Sequence, residues 1–126
     1  MKFAKTVFNV AGIYGILVLL PGFFFEKQIG IDYPPAVTHP EYFYGFYGVG
    51  LAWQVAFLVI ARNPVKFKWF MVPALLEKSS YGIAVVALYC LGRMNKTIFL
   101  VSLGDWVFFI LFLIAFLKVR NLEEKN

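Results

Sequence analysis

The stretch TIFLVSLGDWVFFILFLIAFL, Thr97–Leu117, decides the class of this chain. It is apolar almost without interruption, and its one charged residue is Asp105. A helix needs about 20 such residues to cross the ~30 Å hydrocarbon core of a bilayer. Working outward, three further stretches have the same character: Thr6–Phe25, Tyr42–Ala61 and Trp69–Leu91. Open strands leave unpaired edges in lipid, and these runs are too long for barrel strands. The expected fold is therefore all-α: a polytopic four-transmembrane-helix bundle forming one domain over residues 1–126.

Composition agrees. The chain has 126 residues, 61% of them hydrophobic and only 15% charged, and its mean hydropathy is +0.74. A soluble domain carries nearer a quarter charged residues, so this chain lacks the polar groups to cover its own surface. Its net charge of +5 is spread between the apolar runs rather than gathered on one face, which argues against a nucleic-acid partner and for contact with a lipid bilayer. Lys2 and Lys5, then Arg62, Lys66 and Lys68, then Lys118, Arg120 and Lys125 lie on one side of the four runs. The opposite side holds only Lys27, Arg93 and Lys96. The positive-inside rule then predicts an N-in/C-in topology in the inner (plasma) membrane. Phe23, Phe24 and Phe25 stand where a signal peptidase would need small residues, so the first run is expected to be a span and not a leader.

Punctuation refines the picture. Pro21-Gly22 should kink or end the first span, and Asn63-Pro64 reads as a cap followed by a first-turn proline. The segment Val65–Met71 is then a short interfacial turn, with Trp69 in the aromatic belt. Gly92–Lys96 is a tight connection that pairs the last two spans as an antiparallel hairpin. The connection Glu26–Glu41 is long enough either to cap the bundle mouth or to be a plain surface loop. Gly48, Ala52 and Ala56 form a small-residue stripe that lets another helix approach closely, within the bundle or in a homo-oligomer. Ala11 and Gly15 repeat that spacing in the first span. Cys90, alone and in an apolar run, is expected to be a buried, inert thiol.

The residues that stand out chemically are those that a membrane span should not contain. An ionisable group at mid-span costs ~2.5–3.5 kcal/mol even on the mild insertion scale. Glu77 lies roughly 13 Å of helical rise beyond Lys68, and Asp105 roughly 12 Å beyond Thr97, so both fall near the midplane. Gln54 is at about the depth of Glu77. Lys78 either climbs to Asp105 across the hairpin or snorkels to headgroups. Glu77 is expected to turn to Gln54, as a neutral acid if desolvation protonates it, or to Tyr81. His39, the only histidine, is either a solvated loop residue or an acid–base group beside Glu41. One histidine is too few for bis-histidine haem ligation or a histidine-rich metal site, and no nucleotide loop or nucleophile elbow is present. No cofactor is expected.

The motifs His39-Pro40-Glu41-Tyr42-Phe43-Tyr44-Gly45-Phe46-Tyr47-Gly48, Trp53-Gln54, Arg62-Asn63-Pro64, Glu77-Lys78-Ser79-Ser80-Tyr81-Gly82 and Gly104-Asp105 are similar to a pattern in small bacterial four-helix inner-membrane proteins, broadly DoxX-like in layout. The resemblance implies a bacterial inner-membrane location and carries over no reaction and no catalytic residue. Three functions remain open at this stage. The polar cluster Gln54, Glu77, Lys78, Tyr81 and Asp105 holds a lipophilic or amphipathic small molecule in a binding or accessory protein. It carries protons through Glu77 or Asp105 in a small dimeric exporter. Or Asp105 or His39 serves as an acid–base group in a membrane enzyme acting on a sterol-like or quinone-like substrate. If the cluster does none of these, it is a polar clasp that fixes helix register.

Overall fold

The computed structural model describes residues 1–125; Asn126 lies outside the described residues. The elements are α1 (Lys2–Gly22), α2 (Glu26–Asp32), α3 (Pro40–Arg62), a single 3-10 turn (Lys68–Phe70), α4 (Met71–Cys90), α5 (Lys96–Ser102) and α6 (Gly104–Val119). Four helical stretches are long and apolar enough to cross a membrane: Lys2–Gly22, Pro40–Arg62, Lys68–Cys90 and Lys96–Val119. The local signals act as expected. α1 stops at Pro21-Gly22, and Pro40 opens α3, where its missing N–H costs no hydrogen bond. The Asn63 side chain accepts from the Lys66 amide at 3.1 Å, and Asn95 caps α5 by accepting from the Thr97 amide at 2.7 Å.

Much of the apolar side-chain surface points outward: Leu17 is 70% exposed, Leu76 64% and Val101 73%. A contiguous apolar exterior of this kind is suited to lipid. Inside, α1 packs along α3 and against α6, and α4 packs along α6, while α3 and α4 meet only slightly. The helices therefore run in the order α3–α1–α6–α4, with a loose seam between the first and the last.

The two ends of the bundle differ. One end gathers the termini and the loop before α4, and we call it the basic end. There Lys68 donates to the carbonyls of Arg120 at 3.0 Å and Leu122 at 2.7 Å. Lys118 sits 4.8 Å from the Phe3 ring centroid. The hydrophobic core lies in this half. Phe8 stacks on Phe112 with centroids 4.3 Å apart, and Phe57 meets Phe112 edge-on at 4.9 Å. Ala4, Ala11, Ala61, Met71, Ala74 and Ala115 close the spaces around these rings.

Two sequence expectations are corrected. The stripe Gly48, Ala52 and Ala56 does not pack within the bundle. Gly48 and Ala52 are exposed and Ala56 is half-buried, and no atom lies within 4 Å of where a Gly48 Cβ would be. α3 instead turns Gln54, Phe57, Ile60 and Ala61 inward. Close approach is made by the first span: a Cβ on Gly15 would overlap the Gln54 carboxamide. Only the intermolecular role of the stripe is left. Cys90 is exposed, not buried, because an apolar neighbourhood does not signify an interior in a chain whose apolar residues face out. The fourth apolar stretch runs through as expected, Lys96–Val119, with one local irregularity. It is interrupted at Leu103, where the Leu103 and Trp106 amides bond three residues back, to Leu100 and Leu103.

Candidate functional site

Away from the basic end the helices line a cavity of about 640 Å³ that is open on one side. All four long helical stretches contribute wall: Tyr14 and Val18 from α1, Tyr47 and Trp53 from α3, Tyr81 from α4, and Phe108 from α6. That volume falls within the ~300–1,000 Å³ of small-molecule sites, which are lined by apolar and aromatic groups with a few polar ones. Here the charged residues in the lining are Glu77, Lys78 and Asp105. They lie at the deep end, against the aromatic core.

Lys78 is the centre of the group. Its side chain is 9% exposed, and its Nζ donates to Asp105 Oδ1 at 2.9 Å. Nζ also lies 3.5 Å from Glu77 Oε2, and 5.5 and 5.8 Å from the ring centroids of Phe57 and Phe108. Of the two courses open to it from sequence, Lys78 takes the one into the bundle. The reason is the spacing of α4 and α6. A Cβ on Gly82 would lie 2.7 Å from the Trp106 ring, so the two helices touch there and Asp105 comes within reach of a lysine one turn deeper. Removing either partner of such a pair strands a charge in a poorly solvated place, at a cost of about 3–5 kcal/mol for fully buried pairs.

Glu77 differs from expectation. It bonds to neither Gln54 nor Tyr81: Gln54 Nε2 donates back to its own helix, to the Gly50 carbonyl at 3.0 Å. The Tyr81 hydroxyl lies 3.4 Å from Ser102 Oγ. The slight contact between α3 and α4 explains the first case, since Gln54 and Glu77 face the cavity from walls that do not close on each other. Glu77 Oε2 is consequently a buried oxygen with no hydrogen-bond partner among the described residues. Buried polar atoms are rarely left so.

The break at Leu103 adds to the site. Ser102, Gly104 and Asp105 flank it and line the cavity, and Asp105 falls in the first turn of α6, where the helix dipole favours a carboxylate. Irregular backbone at membrane depth is tolerated where it lines a cavity. The interruption was not anticipated from the sequence, although Ser102 and Gly104, both weak helix formers, mark it.

His39 is not part of this group. It is exposed at the far end, with Nδ1 3.1 Å from Glu41 Oε1 and its ring stacked on Tyr42. The Glu26–Glu41 connection is ordered, with α2 held to α3 by the Tyr44 hydroxyl donating to Glu26 Oε2 at 2.7 Å. None of its residues lines the cavity, so it is a flank and not a lid. The site thus unites five of the sequence candidates, Gln54, Glu77, Lys78, Tyr81 and Asp105, and leaves out His39.

No protein-family model matches this chain, and comparison with curated proteins and with solved structures returns no match.

Proposed function

We propose that this chain is a four-span inner-membrane protein, with the basic end in the cytoplasm, that holds an amphipathic small molecule in the cavity of its other half. The observation that carries the reading is the cavity itself: about 640 Å³ of aromatic and aliphatic wall ending on the polar group Glu77, Lys78 and Asp105. A group that served only as a clasp between helices would satisfy its own polar atoms and exclude space around them. Here the Lys78–Asp105 pair is the tighter contact, and Glu77, 3.5 Å from Lys78 Nζ, keeps a quarter of its side chain exposed. The gathering of Lys and Arg at the end with the termini supports the orientation. The exporter and enzyme readings share the same polar group, and neither has an observation of its own that favours it over binding.

The test is mass spectrometry of what co-purifies with the chain in mild detergent, comparing the parent with Gly104→Phe. Gly104 is in the cavity wall, and no atom lies within 4 Å of where its Cβ would sit, so a larger side chain is accommodated at the expense of cavity space. A stoichiometric amphiphile in the parent that is depleted in the folded variant is the expected result. Equal lipid profiles in both would refute the binding reading.

A further inference from the structure

The cavity has a chemical preference that can be read from its deep end. Its charged side chains are two carboxylates and one ammonium. The ammonium is already committed. Lys78 Nζ is 2.9 Å from Asp105 Oδ1, 3.5 Å from Glu77 Oε2 and flanked by the rings of Phe57 and Phe108. An anionic head group arriving there would have to draw Lys78 off Asp105 and would face two carboxylates with no other cation in the lining. A neutral head group would leave the surplus carboxylate uncompensated. What is missing is a second positive charge with a hydrogen to donate: Lys78 Nζ is 2.9 Å from Asp105 but 3.5 Å from Glu77, whose side chain is a quarter exposed. The aromatic walls suit the same occupant, since cations are attracted to ring faces. Toward the far end the lining turns to Val18, Leu19, Phe46 and Val49, which suits an alkyl chain or ring system trailing away from the head.

We infer that the cavity selects a lipophilic cation carrying an N–H donor, such as a long-chain primary ammonium, and that Glu77 is the residue that receives it. The inference rests on the cavity being a binding site, as proposed above, and adds the class of ligand. Gln54 lines the cavity from α3, with one of its two amide N–H groups donated to the Gly50 carbonyl. Its role is to fill the surface of α1 at Gly15, not to compete for the head group.

The experiment uses the full chain in zwitterionic nanodiscs with four probes of equal chain length: dodecylammonium, dodecyltrimethylammonium, dodecanol and dodecyl sulfate. Bound probe is measured by equilibrium dialysis against empty nanodiscs, at a pH where the amine is charged. A hydrogen bond to a charged group corresponds to roughly tenfold to a hundredfold in affinity, so dodecylammonium should exceed dodecanol by at least about tenfold. Dodecyltrimethylammonium, a cation without an N–H, should fall between them, and dodecyl sulfate should bind no more than to empty discs. Glu77→Gln keeps the side-chain shape and leaves Lys78 paired with Asp105. It should abolish the preference for ammonium over dodecanol while leaving dodecanol binding where it was. Dodecanol or dodecyl sulfate binding as tightly as the ammonium would overturn the ligand class and leave the cavity reading in place. Equal binding of the primary and quaternary ammonium would overturn the hydrogen bond to Glu77. Binding of no probe above empty discs would remove the cavity reading and this inference together. The head-group series on the parent chain decides the matter even if Glu77→Gln does not fold.

Discussion

The half of the bundle at the basic end and the half beyond Lys78 are built from the same helices and do opposite things. In the first, Phe8, Phe57 and Phe112 interlock and alanines close the gaps, so the side chains fill the space between the helices. In the second, rings of similar size, Tyr14, Tyr47, Trp53 and Tyr81, stand around a cavity and do not fill it. The difference comes from helix spacing. At the basic end the loop before α4 is tied to the C-terminal segment by Lys68 and by Asn63, which donates to Glu124 Oε1 at 3.3 Å. At the far end α3 and α4 share little more than Phe46 beside Tyr81, with centroids 6.4 Å apart. Lys78 lies at the boundary, touching core rings on one side and both carboxylates on the other. A packed half holds the fold together, and an open half is available to something else.

The largest expected effect bears on which side of the membrane each half faces. Reporter fusions within Asn63–Lys68 and after the C-terminal tail should both read cytoplasmic, and fusions within Asp32–His39 should read external, as an all-or-none difference. A cytoplasmic signal from the Asp32–His39 loop would invert the orientation.

Next in size is the boundary itself. Lys78→Met should destabilise the folded chain by about 3 kcal/mol or more, because Asp105 and Glu77 lose the charge between them. Asp105→Asn added to that change should recover part of the loss, giving a coupling within the ~0.5–3 kcal/mol seen for residues in one network. Strict additivity in the double mutant, read by reversible denaturation, would mean that the 2.9 Å pair does not couple the two helices in solution.

A smaller effect separates inward from outward small residues. Gly15→Leu drives a side chain into Gln54 and should cost about 1–3 kcal/mol, as overpacking does. Gly48→Leu meets open space and should stay within about 0.5 kcal/mol of the parent in a monomeric preparation. Equal losses at the two sites would indicate that Gly48 is covered by a second copy of the chain.

How much of this was legible in the sequence follows from what lipid does to sequence signals. The four long apolar helices could be read because length and apolarity together mark such segments, and because Pro21-Gly22, Asn63-Pro64 and Asn95 punctuate them. Position along the helices was partly legible: counting helical rise from Lys68 and Thr97 brings Glu77 and Asp105 to similar levels, and of the two courses open to Lys78 the climb to Asp105 is the one that gathers the three into one group. The direction in which each residue faces was not legible. In water an apolar face marks the interior, whereas here residues such as Leu17 and Val101 are apolar and exposed. That is why the Gly48 stripe and Cys90 were expected to be buried and are not. It is also why Glu77 and Gln54, at matching depth, were expected to bond and instead face each other across a cavity. A cavity is a property of helix spacing, and no single span encodes it.

If an amphiphile occupies the open half while the packed end meets only bulk lipid, two of the chain's three tryptophans can report it. Trp53 lines the cavity, and Trp69, 66% exposed, lies near the basic end. Two variants that keep only Trp53 or only Trp69, the others replaced by Phe, would be placed in nanodiscs and titrated with bromine-labelled dodecylammonium. Trp53 quenching should saturate at a low mole fraction of quencher and weaken in Glu77→Gln, while Trp69 quenching should rise in proportion to mole fraction. Proportional quenching at both tryptophans, unchanged by Glu77→Gln, would contradict the account.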